Sequence, residues 1–375
     1  MSKKTSALHS VFVIDGVTQE LTPAQLLDAV AEPSAATGDY SSPQTVIDET
    51  VDPSVGGFEF TAADIDKYLA CVIPAQKKVP LAFCSHYVRE RIATALVDAI
   101  WSEGHFRLGD LRLDGSWSWN PAPVGSMAAF YQTVQSAADY IDSLGLRLGS
   151  YSYIETSGDS SAVFGTGLSE AATEDDFAFA SQPFRSENPV ISSKRACPSV
   201  ILPDAQSWLV YIPFDPCDYR LGGSLLEQTL DIGGGASPYS GDADYFMDCY
   251  EVVRELVEDG VVLSGMTVGE GGLLKALRLM ADGGTGASVD MSDIMKAYQE
   301  RGLVRVLFSE VPGAVIQIRD IDFDYLDAEL LLQDVAFFPL GHPDVRSSDI
   351  RVKASAKSGI QTILESLMQN AEGED

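Results

Sequence analysis

The sequence predicts an α+β protein in which helices and strands mix along the whole chain. Short runs of branched apolar residues, typical of buried strands, alternate with segments whose apolar residues recur every three or four positions, as on one face of a helix. Hydrophobic residues make up 45% of the 375 residues, which is enough to build large cores. No internal repeat of about 20 to 50 residues is visible, so a repeat architecture is not indicated.

The amino-terminal half begins with a strand at VFVI and then reaches a Pro-, Gly- and Ser-rich loop over 31–57. A helix is predicted over 87–101, because Val88, Ile92 and Leu96 recur on one face. A second helix is predicted over 126–143, and Gly145 stands where a left-handed stop residue is expected. Trp117 and Trp119 share one face of a strand, which favours a place in the core or an interface over a stacking platform.

A change of composition predicts a domain boundary. Residues 155–196 are rich in Ser, Gly, Asp and Pro, so we expect an extended excursion there, with an amino-terminal domain over 1–190 and a carboxy-terminal domain over 191–375. In the second domain we predict strands at 199–202, 208–212, 261–264, 304–308 and 314–318. Three helices are predicted: one opened by Ser240 or Asp242, one after the glycine turn at 269–272, and a short one over 360–368.

Composition limits the partners. The chain has 25 basic and 55 acidic residues, a net charge of -30, which repels nucleic acid and anionic membranes. Such acidity is typical either of a salty growth environment or of a cationic partner. No apolar run is long enough to cross a membrane, and MSKKTSALHS leads directly into a strand, so we expect a soluble cytoplasmic protein. Five scattered cysteines without a CxxC pair predict neither a disulfide framework nor a zinc site.

The common catalytic and metal patterns are not found. The sequence contains no GxSxG, no GxxxxGK[ST] and no GxGxxG after a strand. Asp320, Asp322 and Asp324 alternate as in a calcium loop, but Tyr325 and Leu331 stand where such a loop needs Gly and Glu. A solvated strand end or a helix start is therefore favoured. The four histidines are far apart, so no metal site is predicted.

Two segments carry a resemblance to a known family. RLGGSLLEQTL at 220–230, and the segment from LVEDGVVLSG to GASVDM at 256–291, resemble the carboxy-terminal domain of the aminoimidazole ribonucleotide (AIR) synthetase superfamily. Within it, the likeness is to the second synthetase half of the large formylglycinamide ribonucleotide amidotransferase, phosphoribosylformylglycinamidine synthase. It is strongest over 220–318 and continues upstream through LRLDGSWSWNPAPVGSM. The family's first synthetase half and its glutaminase domain have no counterpart in the sequence.

The resemblance implies a two-domain fold. An amino-terminal α/β domain of the family pairs its sheet with a partner copy to form a barrel, and a carboxy-terminal α/β sandwich domain packs against it. Here the partner would be another molecule, either a second copy or another synthetase half.

The resemblance also implies a nucleotide site, held in the family by a Lys, by acidic and amide groups, and by an Asp and a Ser of a glycine turn. In the turn MTVGEGG at 266–272, Thr267 and Gly269 replace that Asp and Ser, and only Glu270 keeps an acidic place. The family's loop Lys falls near Gly38, and its helix Asn near Asp98. We therefore expect no catalytic residue, no tightly bound ATP or Mg²⁺, and a vestigial pocket formed by Asp98, Gly222, Gly223, Glu270, Gly271 and Gly272. The glycines either keep the turns of the fold or approach a phosphate.

Two hypotheses follow for the function. The first is a pseudoenzyme of this purine-pathway family that has lost nucleotide chemistry and acts as a structural or interaction subunit. The second is the non-catalytic half of a split phosphoribosylformylglycinamidine synthase. A self-contained ATP-dependent synthetase or kinase of the superfamily is disfavoured, because the required Asp and Lys are not where the family motif places them. We expect no lysine and two carboxylates to converge in the cleft between the domains, and their convergence there would contradict the loss of the nucleotide site.

Overall fold

A computed structural model describes residues 7–33, 44–53, 58–102, 106–169, 197–232, 235–238 and 241–353. Helices and strands mix throughout these residues, so the predicted α+β class is confirmed. The boundary predicted at residue 190 and the helix predicted over 360–368 lie outside the described residues.

The first sheet lies at the amino-terminal end. Strands β1 (Val11–Ile14), β2 (Val17–Thr18) and β3 (Thr45–Asp48) pair in the order β2-β1-β3. Helix α1 (Pro23–Ala29) follows β2 and begins with a capping box, because the Thr22 hydroxyl accepts from the Gln25 N–H and the Gln25 side chain accepts from the Thr22 N–H. Helix α2 (Ile65–Val72) comes after β3.

A second sheet contains the two tryptophans. Strand β4 (Leu111–Trp119) is central, parallel to β5 (Leu148–Glu155) and antiparallel to β6 (Ser161–Leu168). Helices α3 (Cys84–Trp101) and α4 (Ser126–Ser143) pack beside it, and α4 has the predicted bounds. Gly145 is left-handed as predicted, with φ at 67°. Trp117 and Trp119 are 1% and 0% exposed, which confirms that they belong to the core.

Strand β6 corrects the sequence analysis, which expected only an extended excursion after residue 155. Its Ser and Gly content hides the strand, but Ala162 and Phe164 point alternately inward and are buried. Eight residue pairs join this segment to β4, from Leu111 with Leu168 to Ser118 with Ser161. Pairing with a neighbouring strand outweighs weak intrinsic propensity here.

The carboxy-terminal half is built on a six-stranded sheet in the order β12-β9-β11-β7-β10-β8. These strands are β7 (Trp208–Pro213), β8 (Val262–Val268), β9 (Gly286–Asp290), β10 (Gly313–Ile318), β11 (Phe338–Asp344) and β12 (Ile350–Lys353). The helices are α5 (Leu225–Leu230), α6 (Ala243–Glu258), α7 (Gly272–Met280), α8 (Ser292–Ala297), α9 (Leu303–Phe308) and α10 (Phe323–Leu332).

The sheet separates two cores, and alternate residues of its central strands enter opposite ones. Val210 and Ile316 pack with side chains of α3, α4 and α6. Leu209 and Val315 pack with side chains of α7 and α9. Because α3 and α4 belong to the amino-terminal half, this sheet is the surface on which the two halves meet.

Two strand predictions are wrong in this half. Residues 199–202 are irregular, and the Ile201 N–H donates to the carbonyl of Met280 instead of to a strand. Residues 304–308 are helical, as part of α9. An apolar run of five residues has no periodicity that separates a strand from a buried helical turn, so burial against α7 decides its conformation. The predicted start of α6 is confirmed, because the Asp242 side chain accepts from the Tyr245 N–H at 3.1 Å.

Candidate functional site

A groove runs between helix α3 of the amino-terminal half and the glycine turn that joins β8 to α7. It contains a cavity of about 200 Å³. Arg91, Thr94 and Asp98 line one side of this cavity, since spacings of three and four place them on one face of α3. The turn supplies Glu270 on the other side. The structure thus brings together Asp98 and the 269–272 turn, which were predicted to share a pocket.

Asp98 is held by a hydrogen-bonded chain. The Thr267 hydroxyl donates to the Asp98 carboxylate and accepts from the indole N–H of Trp101 at 2.9 Å. Although Asp98 is open to the groove, crowding by neighbouring protein atoms raises the pKa of its carboxyl, and the bond from Thr267 opposes this shift. The Asp98 carboxylate is therefore already engaged by a neighbouring side chain of the groove.

Glu270 lies between two cations that the sequence analysis did not assign to the pocket. Its carboxylate is 3.2 Å from Arg91 Nη1 and 3.4 Å from Lys275 Nζ. The only sequence signal for Arg91 is its position one turn before Thr94 on α3, and for Lys275 its position in the first turn of α7. The groove therefore contains two positively charged side chains. Both cations already contact a carboxylate of the protein.

Gly271 and Gly272 have left-handed φ angles of 85° and 75°. A Cβ atom on Gly272 would lie 2.7 Å from the carbonyl oxygen of Leu307 and from the Cα of Phe308. Close packing of α7 on α9 therefore accounts for this glycine without a ligand.

Gly222 and Gly223 lie elsewhere. Gly223, with φ at 76°, precedes α5 and lines a separate cavity of about 320 Å³ with Phe83 and Glu227. The Gly223 N–H donates to Glu227 Oε2 at 2.6 Å. A Cβ atom on Gly222 would lie 2.6 Å from the carbonyl of Ala236. The structure therefore does not place these two glycines in the groove that contains Asp98.

A buried charged cluster connects the two glycine segments. Glu310, which precedes β10, accepts through Oε1 from the N–H of Gly271 at 2.7 Å and of Leu225 at 2.9 Å. Its Oε2 pairs with Lys77, and Lys77 also lies 3.2 Å from Glu90 Oε2 on α3. The side chains of Lys77, Glu90 and Glu310 are 1%, 0% and 1% exposed. We call these three residues the buried triad.

The buried triad departs from the expectation that no lysine and two carboxylates would converge between the halves. They do converge, but enclosed by protein and against each other. Burial raises the pKa of Glu90, and Glu310 adds to the shift while Lys77 opposes it. For Lys77, burial acts to lower the pKa, but the charges of Glu310 and Glu90 outweigh it and raise the pKa. Arg91 also acts on Glu90 and opposes the rise in its pKa, so the second carboxylate of the buried triad faces a nearby cation.

The donor arrangement around Glu310 has a clear chemical meaning. Two backbone N–H groups and an ammonium group converge on one anion, which is the set of donors that a phosphate requires. In this chain the anion is a side chain of the protein itself. Among the described residues, no group of three or more His, Cys, Asp or Glu side chains is arranged to hold a metal ion. In that part of the chain, no helix combines the length and apolarity that crossing a bilayer demands.

A family of known proteins matches the part of the chain that contains the glycine turn and Glu310. The family described as AIR synthase related protein, C-terminal domain, matches residues 220–319, which contain the glycine turn and Glu310. Human phosphoribosylformylglycinamidine synthase is 23% identical over 262 residues, covering 68% of this chain and 18% of the human protein. The Drosophila melanogaster enzyme of the same name is 26% identical over 266 residues, covering 65% of this chain and 18% of that protein. The chain thus spans less than a fifth of the length of these curated relatives.

The fold is also similar to that of a solved structure, T. maritima PurL complexed with FGAR. The TM-score is 0.50 at 12% identity, covering 76% of this chain and 42% of that chain. The family match confirms the resemblance predicted over 220–318. The two curated relatives carry the name of the enzyme that the sequence was found to resemble. Residues 220–319 therefore match the AIR synthase related C-terminal domain family, and about two thirds of the chain is similar to phosphoribosylformylglycinamidine synthases.

Proposed function

We propose that this protein has lost nucleotide binding in the groove and acts as a structural or interaction subunit through the outward face of the β5-β4-β6 sheet. The observation that carries the first part is Glu310, whose carboxylate uses the backbone N–H groups of Gly271 and Leu225 and the ammonium group of Lys77. A phosphate could use these donors only by displacing Glu310 and leaving its charge buried without partners. Such a loss costs about 3 to 5 kcal/mol.

The remaining groups of the groove support the same proposal. Arg91 and Lys275 already contact Glu270, so binding a phosphate would require breaking both ion pairs. The Asp98 carboxylate already accepts a hydrogen bond from the Thr267 hydroxyl, so a Mg²⁺ ion would compete with this bond. The charged groups of the groove are thus already engaged by other groups of the protein.

Isothermal titration tests the loss of nucleotide binding. We expect no detectable binding of ADP or ATP, each with Mg²⁺, at concentrations up to about 1 mM, because Glu310 and Glu270 already occupy the donors that a phosphate would use. A Kd weaker than about 1 mM corresponds to less than about 4 kcal/mol of binding free energy. Glu270→Gln is the informative control, since it releases Arg91 and Lys275 and should bring weak ATP binding into range. Micromolar or tighter binding by the unmodified protein would contradict the proposal.

The outward face of the β5-β4-β6 sheet supports the second part. Its centre consists of small or uncharged side chains, with Ser116 of β4 between Ser152 of β5 and Val163 of β6. Val163 and the nearby Ile154 are 56% and 65% exposed. Two charged side chains of the same face lie to one side of this centre: Arg112 and Asp114 of β4. A face with an uncharged centre is suited to packing on another sheet. A second copy fits, because a two-fold axis through that centre brings small and apolar side chains against one another.

Sedimentation velocity tests this interface. The unmodified protein is expected to sediment as a dimer, and Val163→Lys as a monomer, because each interface would then bury two unpaired ammonium groups. Val124→Lys is the matched control, since Val124 is also exposed, at 80%, and lies outside the sheet. A monomeric unmodified protein, or a dimer that survives Val163→Lys, would refute the homodimer.

The alternative is the non-catalytic half of a split phosphoribosylformylglycinamidine synthase, and the similarity to curated enzymes of that name favours it. The same sheet face would then pair with a different chain that carries the catalytic half. Mixing with a separately expressed first half distinguishes the two. A one-to-one heterodimer that replaces the homodimer and supplies synthase activity supports the split enzyme, and a persisting homodimer excludes it.

A further inference from the structure

The outer side of helix α10 carries an apolar stripe on the surface of the carboxy-terminal half. Five described large hydrophobic side chains are more than 70% exposed, and three of them lie here: Ile321 at 84%, Leu331 at 74% and Leu332 at 77%. Tyr325, Ala328 and Leu332 follow one another at spacings of three and four and therefore share one face of α10. Ile321 lies four residues before Tyr325, in the short 3-10 turn Asp320–Asp322 that leads directly into the helix. We call these four residues the α10 stripe.

The inner side of the same helix is apolar as well. Leu326 and Leu330 are fully buried, and Phe323 packs on Trp208 with the ring centroids 5.3 Å apart. A helix with apolar residues on opposite sides is typical of one that is covered on both. In the described part of the chain, α10 is covered on the inner side only, where it packs against α6.

Acidic residues surround the α10 stripe. Residues 319–334 contain six carboxylates and one basic residue, Arg319, which pairs with Asp322 at 2.6 Å. The Tyr325 hydroxyl donates to Asp259 at 3.4 Å, which brings the acidic end of α6 to the same surface. The pKa of Tyr325 is raised by slight burial and by the charges of Glu329, Asp259 and Glu255. The stripe is therefore apolar along its centre and negative at its edges.

We propose that the α10 stripe docks a basic amphipathic helix of another protein. Leucine-class side chains of that helix cover the stripe while flanking lysines or arginines meet the carboxylates at its edges. The stripe spans eleven residue steps, about 16 Å at 1.5 Å per residue, which matches a partner of about three helical turns. A second copy of this chain is disfavoured as the occupant, because it would bring the same carboxylates against themselves. This surface is separate from the β5-β4-β6 face.

A synthetic 18-residue helix of Leu and Lys with one apolar face is the probe, labelled with fluorescein and titrated with the full-length protein. Ile321→Ser combined with Leu332→Ser is expected to weaken binding roughly tenfold or more, because the central apolar anchors are lost. Ile47→Ser combined with Val124→Ser is the matched control, since these side chains are 76% and 80% exposed elsewhere, and it should bind as the unmodified protein does. All four substitutions are at the surface, so thermal unfolding should stay within a few degrees.

Three outcomes overturn the proposal. Equal weakening by both double variants, or equal binding of a peptide whose Leu residues are replaced by Ser, shows attraction by net charge alone. Tighter peptide binding after Ile363→Ser with Leu367→Ser shows that the chain's own carboxy-terminal segment competes for the stripe. Loss of the dimer in Ile321→Ser with Leu332→Ser shows a second copy on the stripe, whereas an unchanged dimer keeps this surface distinct from the sheet face.

Discussion

Replacing Glu310 with alanine is expected to lower the free energy of unfolding by about 3 to 5 kcal/mol, the usual cost of breaking a buried ion pair on one side. Three donors lose their acceptor at once: the ammonium group of Lys77 and the N–H groups of Gly271 and Leu225. Each is enclosed, so water does not readily replace the carboxylate. Because the triad joins α3 to both glycine segments, the variant should also loosen the contact between the halves. Urea unfolding at pH 7 measures the change.

Two variants make this result interpretable. Glu310→Gln keeps an oxygen acceptor for Gly271 and Leu225 and leaves Lys77 paired with Glu90, so it should cost less than Glu310→Ala. Asp282→Ala breaks the surface pair of Asp282 with Arg278, in which the side chains are 61% and 37% exposed, and should change stability by less than about 1 kcal/mol. If Glu310→Ala were as mild as Asp282→Ala, the triad would not stabilise the fold.

Acid is expected to destabilise the protein through His86, a half-buried residue of α3 whose Nε2 atom is enclosed by protein. Burial, with smaller contributions from Lys77 and Arg89, lowers the pKa of His86 to about 3. The unfolded chain binds this proton near its ordinary pKa of about 6.5, so the unfolded state gains protons first as pH falls. The stability that depends on neutral His86 is therefore complete above about pH 6.5 and decreases by up to about 1.4 kcal/mol per pH unit down to about pH 3.

His86→Gln isolates this effect, because it removes the titrating ring and keeps a polar side chain. Urea unfolding at pH 7.5 and at pH 5.0 gives the free energy of unfolding of the unmodified protein and of His86→Gln. The quantity to compare is the change in this free energy between the two pH values. The unmodified protein is expected to lose about 2 kcal/mol more than His86→Gln over this interval. Parallel curves for the two proteins would contradict the prediction.

The pattern of α10 shows how an element can be read correctly from its sequence while its role is not. Asp320, Asp322 and Asp324 were interpreted as a solvated strand end or helix start, and they do lead into α10. The apolar stripe on the outer side of α10 lies in the same segment of the sequence. Only the packing of Leu326 and Leu330 shows which side of the helix is left uncovered.

The sequence by itself determined the elements whose signal is local. Helices α3, α4 and α6 follow from apolar spacing and from caps within a few residues, and the glycine turn with Asp98 follows from a family motif. Such patterns can be recognised in the sequence alone, because the interacting residues are close together along the chain.

Only the tertiary structure decided the rest. The conformation of α9 and the strand β6 depend on the neighbours they pack against, since their residues fit more than one conformation. The triad joins Lys77 to Glu310 across 233 positions, and Glu270 meets Arg91 from the other half of the protein. A charge is costly to bury unless its partner is close in space, and that partner need not be close in sequence. Only the folded chain therefore shows that Glu310 occupies the backbone N–H and ammonium groups that could otherwise bind a phosphate.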